Sequence, residues 1–414
     1  MRFLLPPIAF VAILTAAGAS AQEITPEREA ELFGKIDSMI EEVEEITGFK
    51  ALEPIPRSLI NRDEINDLVT TRLDEETKAD QFRLEELFLE MFGLTPKRVD
   101  LEQQVVDVLT EQAAALYDYK TKQLYVATWA PDDMQEFALV HEIAHALADQ
   151  QFDLGKYISG GKSADADLAR MAVVEGQASW VMTEWVMRQS HRTLEGNRLL
   201  AAASVGASRH AVKDFPVFMA SPRYVQETMI FPYTDGLMFQ QAVVDKQSQR
   251  SFSGVFLEPP ASTQHIMNPE SYFEGRKPLA LKAPKAKLKR FKRSSQGDIG
   301  QLDHFILLDE HLGETDSKHA RHWRGAQYEI WENRNKSRAV FLYASQWRSE
   351  LDARRFFEFY RKICEKKWES VEIRNETEDR VEGASEAGRF VIELNDDTVT
   401  SLEGLPDVNV GLKR

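Results

Sequence analysis

Residues 141–145 read His-Glu-Ile-Ala-His. Four positions apart on a helix, His141 and His145 project from one face on successive turns, close enough for both imidazoles to bind one divalent cation. Glu142 stands about 100° round the helix from His141. Its carboxylate therefore borders the open side of such a cation without taking a ligand position, which is where a base for an attacking water is needed. The chemistry implied is zinc-assisted hydrolysis, with His141 and His145 as metal ligands and Glu142 as catalytic base. A chance pair of surface histidines would give the same five letters, but the surroundings argue otherwise. From Met134 to Ala148 the only polar side chains are Gln135, Glu136, His141, Glu142 and His145. A helix apolar on nearly all sides is buried, and buried imidazoles and carboxylates need partners.

Hydrolytic zinc takes three protein ligands and leaves the fourth position to water. A histidine-rich extension would place its third His at position 151, but that position is Gln and position 148 is Ala, which rules the pattern out. Further on, Leu168, Met171, Glu175, Ala178, Met182 and Trp185 recur in steps of three and four, one core-facing stripe of a second helix. Glu175 is the anomaly in it, because an unpaired buried carboxylate is costly and a divalent cation removes the cost. Gly176 beside it allows another helix to approach closely. A buried salt bridge or a helix break at Gly176 would also account for Glu175. Asp165 and Asp167 are rival ligands, although they sit where a loop turns into a helix and acids are ordinary.

Taken together, the motifs resemble the gluzincin branch of zinc metallopeptidases, in which a second helix supplies a glutamate to the histidine pair. A closer resemblance is to a poorly characterised family of exported bacterial zincin-like proteins. It rests on Ala-Leu-Tyr-Asp-Tyr-Lys-Thr-Lys-Gln-Leu-Tyr-Val at 115–126, on the 139–154 run around the histidines, and on Glu-Gly-Gln-Ala at 175–178. Phe-Pro-Tyr-Thr-Asp-Gly at 231–236 and Pro-Pro-Ala-Ser-Thr at 259–263 extend it, so that it spans about residues 100–275. The resemblance implies a zincin-like catalytic domain, zinc held by His141, His145 and Glu175, and a peptide or protein substrate. Residues 121–128 alternate and read as a strand, which the resemblance casts as a cleft wall that pairs with an extended substrate. The Asp that braces a zinc histidine in many gluzincins is Ser179 here, leaving Asp149, Asp153 or Asp235 for that role. Tyr233 is the first choice as donor to a developing oxyanion, with His210 and His265 behind it.

The elements around this centre follow from breaks in pattern. Residues 1–21 carry Arg2, an apolar run and Ala-Ser-Ala before Gln22, as in a secretory signal, so the mature protein is expected to be exported, periplasmic or extracellular. The apolar run is too short for a membrane span. One cysteine, Cys364, excludes an internal disulfide, and its helical apolar setting points to a buried structural thiol. A net charge of -16 disfavours nucleic acid as a partner. Residues 22–116 read as a helical N-terminal region, with one long helix from Ile65 to Phe92, and 117–275 as the metallopeptidase domain. Arg276 to Arg293 holds nine Lys or Arg and no acid. It reads as part of a basic linker at 276–296, a solvated tether with the capacity to touch an anionic lipid or polymer surface. Residues 297–414 read as an accessory domain, with a helix from Gly297 to Leu312, strands at 327–331, 339–343 and 390–394, and an amphipathic helix at 351–368.

The expected architecture is therefore α+β and predominantly helical, a zincin-like catalytic domain followed by a small C-terminal α+β domain. The expected function is peptide-bond hydrolysis by an exported zinc enzyme. The alternative from another class is a zinc-stabilised scaffold or chaperone that binds exported proteins without cleaving them.

Overall fold

The computed structural model describes residues 8–12, 26–76, 80–129 and 132–406. Most of the leader expected at 1–21 lies outside these. Ahead of the histidine pair come strand β1 (Ile8–Ala12), helix α1 (Pro26–Thr47), strand β2 (Arg57–Ile60) and helices α2 (Arg62–Glu76), α3 (Gln81–Phe92) and α4 (Leu101–Gln112). The hairpin β3 (Ala113–Asp118) and β4 (Gln123–Ala127) leads into α5 (Asp132–Phe152), the short α6 (Leu154–Ser159) and α7 (Ala164–Gln189). Then follow α8 (Arg198–Ala211), α9 (Pro216–Ala220), α10 (Arg223–Gln247) and the short α11 (Ser251–Leu257), α12 (Thr263–Met267) and α13 (Pro269–Phe273). The result is an α+β protein in which helices dominate the first two thirds. None of the described helices is long and apolar enough to cross a membrane.

Two elements differ from the sequence expectation for physical reasons. The helix expected from Ile65 to Phe92 is two helices, because Asp80 adopts a left-handed backbone, φ 66°, between α2 and α3. The strand expected to pair with substrate is β4, and both its edges are taken: β3 pairs with it antiparallel and β2 parallel. The sheet order is β1-β3-β4-β2. The outer edge of β3 carries Ile8–Ala12, antiparallel, with Ile8 opposite Asp118 and Ala9 opposite Tyr117. A strand inside a sheet has no free N–H and C=O row to offer a peptide, so pairing with an extended substrate cannot fall to β4.

The C-terminal part is a seven-stranded antiparallel sheet in the order β5 (Phe291–Asp298), β6 (Trp323–Asn333), β7 (Ala339–Trp347), β11 (Thr398–Leu405), β10 (Gly388–Asn395), β9 (Arg380–Ser385) and β8 (Val371–Glu376). Helices α14 (Gln301–Leu312), α15 (Glu314–Ser317) and α16 (Glu350–Lys367) complete it. The helix read from Gly297 starts at Gln301, since Gly297 and Asp298 still pair in β5 and Gly300 is the extended N-cap whose N–H Asp303 accepts at 2.6 Å. The basic stretch is likewise not a free tether: its end, from Phe291, is β5, and Leu279 N–H donates to Arg324 O at 2.8 Å. Cys364 is buried in α16, as its sequence setting implies.

One apolar core runs through both parts of the chain. Helix α3 is the main reason. Its Phe88 packs on Tyr328 with ring centroids 4.4 Å apart and its Phe92 on Tyr343 at 5.3 Å, while Arg83 makes a bidentate ion pair with Glu332 at 2.9 and 3.0 Å. An element from the N-terminal region thus belongs to the aromatic core of the C-terminal sheet. Buried aromatics carry large apolar areas, and this joint fixes the sheet against the helices.

Candidate metal centre

Helix α5 presents His141, Glu142 and His145 to the interior, at 0 %, 0 % and 1 % exposure. Helix α7 runs past it and presents Glu175, 2 % exposed. The Nε2 atoms of His141 and His145 lie 3.1 and 3.2 Å from the same Glu175 Oε2. Ligands about 2.0–2.1 Å from a tetrahedral zinc are about 3.3 Å from one another, so each imidazole nitrogen already stands from the carboxylate oxygen at the separation such an ion requires. Burial drives the imidazole pKa values down, to about 4 for His141 and about 3 for His145, so both rings are neutral at pH 7. Burial also raises the Glu175 carboxyl above its ordinary value, against the pull of its His141 contact. A buried carboxyl facing two neutral imidazoles is the donor set that a divalent cation would ionise and satisfy.

What brings the helices together is a pair of glycines. A Cβ on Gly176 would sit 2.1 Å from the carbonyl carbon of Gly236, and one on Gly236 would sit 2.2 Å from Ala172 O. Helices α7 and α10 therefore cross backbone on backbone at the turn that carries Glu175. The Phe-Pro-Tyr-Thr-Asp-Gly run lies inside α10 rather than beside it, with Pro232 in the helix interior. The crossing places Tyr233 on the centre: its ring stacks 6.1 Å from His141, and its hydroxyl donates to the Glu175 carboxyl. That contact ties Tyr233 to the Glu175 carboxyl.

Sequence reasoning missed Tyr119, in the turn between β3 and β4. Its ring meets that of His145 edge to face at 6.1 Å, in the field of Glu175 and Glu142. Its buried hydroxyl has no hydrogen-bond partner among the described residues. An orphaned buried donor is uncommon and costs about 1–3 kcal/mol. The run Tyr117-Asp118-Tyr119 was visible in sequence, but nothing local says that the second tyrosine points to the histidines.

Of the proposed braces, Asp149 alone enters the electrostatics of His145, one turn along α5. It is buried and accepts from Tyr117 Oη at 3.0 Å, from Leu154 N at 2.8 Å and from Lys122 Nζ at 2.5 Å. Asp153 instead caps α6, and Asp235 pairs with Arg209. The rival ligands are elsewhere too. Asp165 accepts from Thr263 Oγ1 and N at 2.5 and 3.2 Å in the first turn of α7, ten residues or about 15 Å up the helix from Glu175. Asp167 lies in the same turn beside Gly161. His265 is engaged by Ala261 N and Arg276 O, and His210 is exposed on α8. A second grouping, His319, His322 and Asp352, has ligand atoms within 4.8 Å of one another. Arginines already occupy it, since Arg348 Nε donates to Asp352 at 3.2 Å and Arg321 Nε to His322 at 3.3 Å. That positive field opposes a cation.

Alanine at His141, His145 or Glu175 is each expected to lower metal content, whereas Asp165→Ala keeps it. Elemental analysis of the four purified variants checks this, and full metal in Glu175→Ala with loss in Asp165→Ala would reverse the assignment of the third ligand.

A family model described as a domain of unknown function (DUF8575) matches residues 289–411. The match covers the C-terminal sheet and leaves the centre outside it. No curated protein and no solved structure matches the chain.

Proposed function

We propose that this chain is an exported zinc-dependent metallopeptidase of the gluzincin kind, with a zincin-like fold around α5, α7 and α10. The observation that carries the reading is the convergence of His141 and His145 Nε2 on one Glu175 oxygen, with Glu142 buried beside them. Zinc, when bound by these three residues, supplies polarisation of the scissile carbonyl and a lowered pKa for water at its open position. The rest is done by the chain. Glu142 takes a proton from the water as its oxygen bonds to the carbonyl carbon, and returns that proton to the amine nitrogen as the C–N bond breaks. Tyr119 donates its orphaned hydroxyl to the carbonyl oxygen as negative charge grows there. Tyr233 holds Glu175 in place.

The test is metal analysis together with a broad peptide library: one zinc per chain and cleavage that a chelator abolishes. Tyr119→Phe is expected to keep the zinc and lower kcat about 10²-fold with KM little changed, the usual size for one oxyanion donor. Tyr233→Phe should instead weaken zinc binding about 10-fold or more, as loss of a ligand's support does. Equal effects of the two variants on both readouts would remove the division of roles.

One observation favours the alternative of a zinc-stabilised scaffold: His141, Glu142, His145 and Glu175 are all at most 2 % exposed, a degree of enclosure that a structural metal site also shows. Against it, a structural site fills its fourth position with a protein ligand and needs no base.

A further inference from the structure

Between Arg276 and Arg293 the chain carries nine cations in a protein of net charge -16. Arg276 and Arg293 pair with Glu274 and Glu329. Lys277, Lys282, Lys285, Lys287, Lys289, Arg290 and Lys292 have no carboxylate partner among the described residues and are exposed. An acidic protein has many carboxylates to neutralise them, so leaving them unpaired in one place is a charge separation held by the fold.

The segment is pinned. Its Leu279 crosses Gly325 so closely that a Cβ there would lie 2.3 Å from Leu279 O. Ala283, Ala286, Leu288 and Phe291 pack against the outer apolar cluster of Val340, Leu342, Val391, Leu402 and Leu405. Alternate residues turn inward, so Lys285, Lys287 and Lys289 all face solvent, while Ala286 and Leu288 between them are half-buried. In extended chain, cations two residues apart stand about 6.6 Å apart. From Lys285 to Lys289 the strap is a short ladder of positive charge, which ends at a turn where Arg290 takes φ 67°.

We propose that this ladder binds a linear anionic polysaccharide. A single row matches a chain-like ligand whose charges repeat along one direction, and polyelectrolyte binding gains from counterion release at each contact. A membrane is a poorer fit: Ala286 and Leu288 turn inward, and Leu279 is the strap's one exposed large apolar side chain among the described residues, too little for insertion. A polymer can follow the row along the strap, and beyond the cleft that Lys282 and Lys285 share with Asp167, Asp298 and Glu329 repulsion from the acidic body is screened over about 8 Å. Single-stranded nucleic acid calls for aromatic platforms, and the one aromatic in the stretch, Phe291, packs against the apolar cluster.

The experiment uses the full chain and dextran sulfate as probe, with unsulfated dextran, vesicles containing anionic phospholipid and a single-stranded oligonucleotide as the other arms. Binding to dextran sulfate is expected to fall steeply with salt, with none to dextran. Gln at Lys282, Lys285, Lys287 and Lys289 together should weaken it at least about tenfold. Arg at the same four positions should restore it, and Gln at the exposed Lys213, Lys246, Lys318 and Lys336, an equal change of net charge, should leave it unaltered. Equal loss in the two Gln variants, no salt-dependent binding by the native chain, or tighter binding to vesicles or the oligonucleotide each overturns the proposal. None of these readouts depends on zinc or on peptide cleavage.

Discussion

Glu142→Gln is expected to leave fold and zinc content unchanged and to lower peptide hydrolysis by about 10²–10⁴-fold, the usual contribution of a positioned base. The substitution keeps the shape and the ability to hydrogen-bond water, and removes only the capacity to accept a proton at neutral pH. The atoms that converge are His141 Nε2, His145 Nε2 and Glu175 Oε2, and no Glu142 oxygen is among them. Metal content and rate should therefore separate, unlike in the ligand variants, where both fall together. Zinc analysis beside cleavage of a composition-unbiased peptide library gives the comparison. If fully zinc-loaded native protein cleaves nothing, and native and variant chains bind unfolded polypeptide equally, the scaffold reading takes over.

Gly176→Ala should be strongly damaging. The added carbon would sit 2.1, 2.4 and 2.5 Å from the C, O and Cα of Gly236, all backbone atoms of a packed helix. No rotamer change relieves such a contact, so α7 and α10 must move apart. Overpacking in a core costs about 1–3 kcal/mol and more where backbone must shift. The displacement also withdraws Tyr233 from Glu175, so zinc occupancy is expected to fall with stability. Gly206→Ala is the control, since a Cβ there meets nothing within 4 Å on helix α8. It should stabilise by about 0.5–1 kcal/mol through helix propensity alone. Denaturant melts and zinc analysis on both variants give the measurement; a Gly176→Ala protein as stable and as zinc-rich as the native chain would sink the account of the crossing.

The sequence by itself determined which atoms share a face. Residues four apart on a helix superpose whatever the helix packs against, so His141 and His145 were paired before any fold was known. The apolar stripe through Leu168 and Trp185 marked Glu175 as a carboxylate facing the interior, and Gly176 as a place for close approach. Local rules give faces and periods, but not what a face meets. Whether Glu175 or Asp165 reached the histidines depended on how α7 lies across α5, and only packing placed Asp165 under Thr263 and Glu175 at 3.1 Å from His141. Tyr119, 26 residues before His145, was an unremarked turn residue until the sheet and α5 were assembled. Strand order was equally out of reach, because the hydrogen bonds that enclose β4 join segments far apart in sequence. The basic stretch carried its charge in plain view, while its fixed row of lysines exists only because Ala283, Ala286 and Leu288 found an apolar cluster to cover.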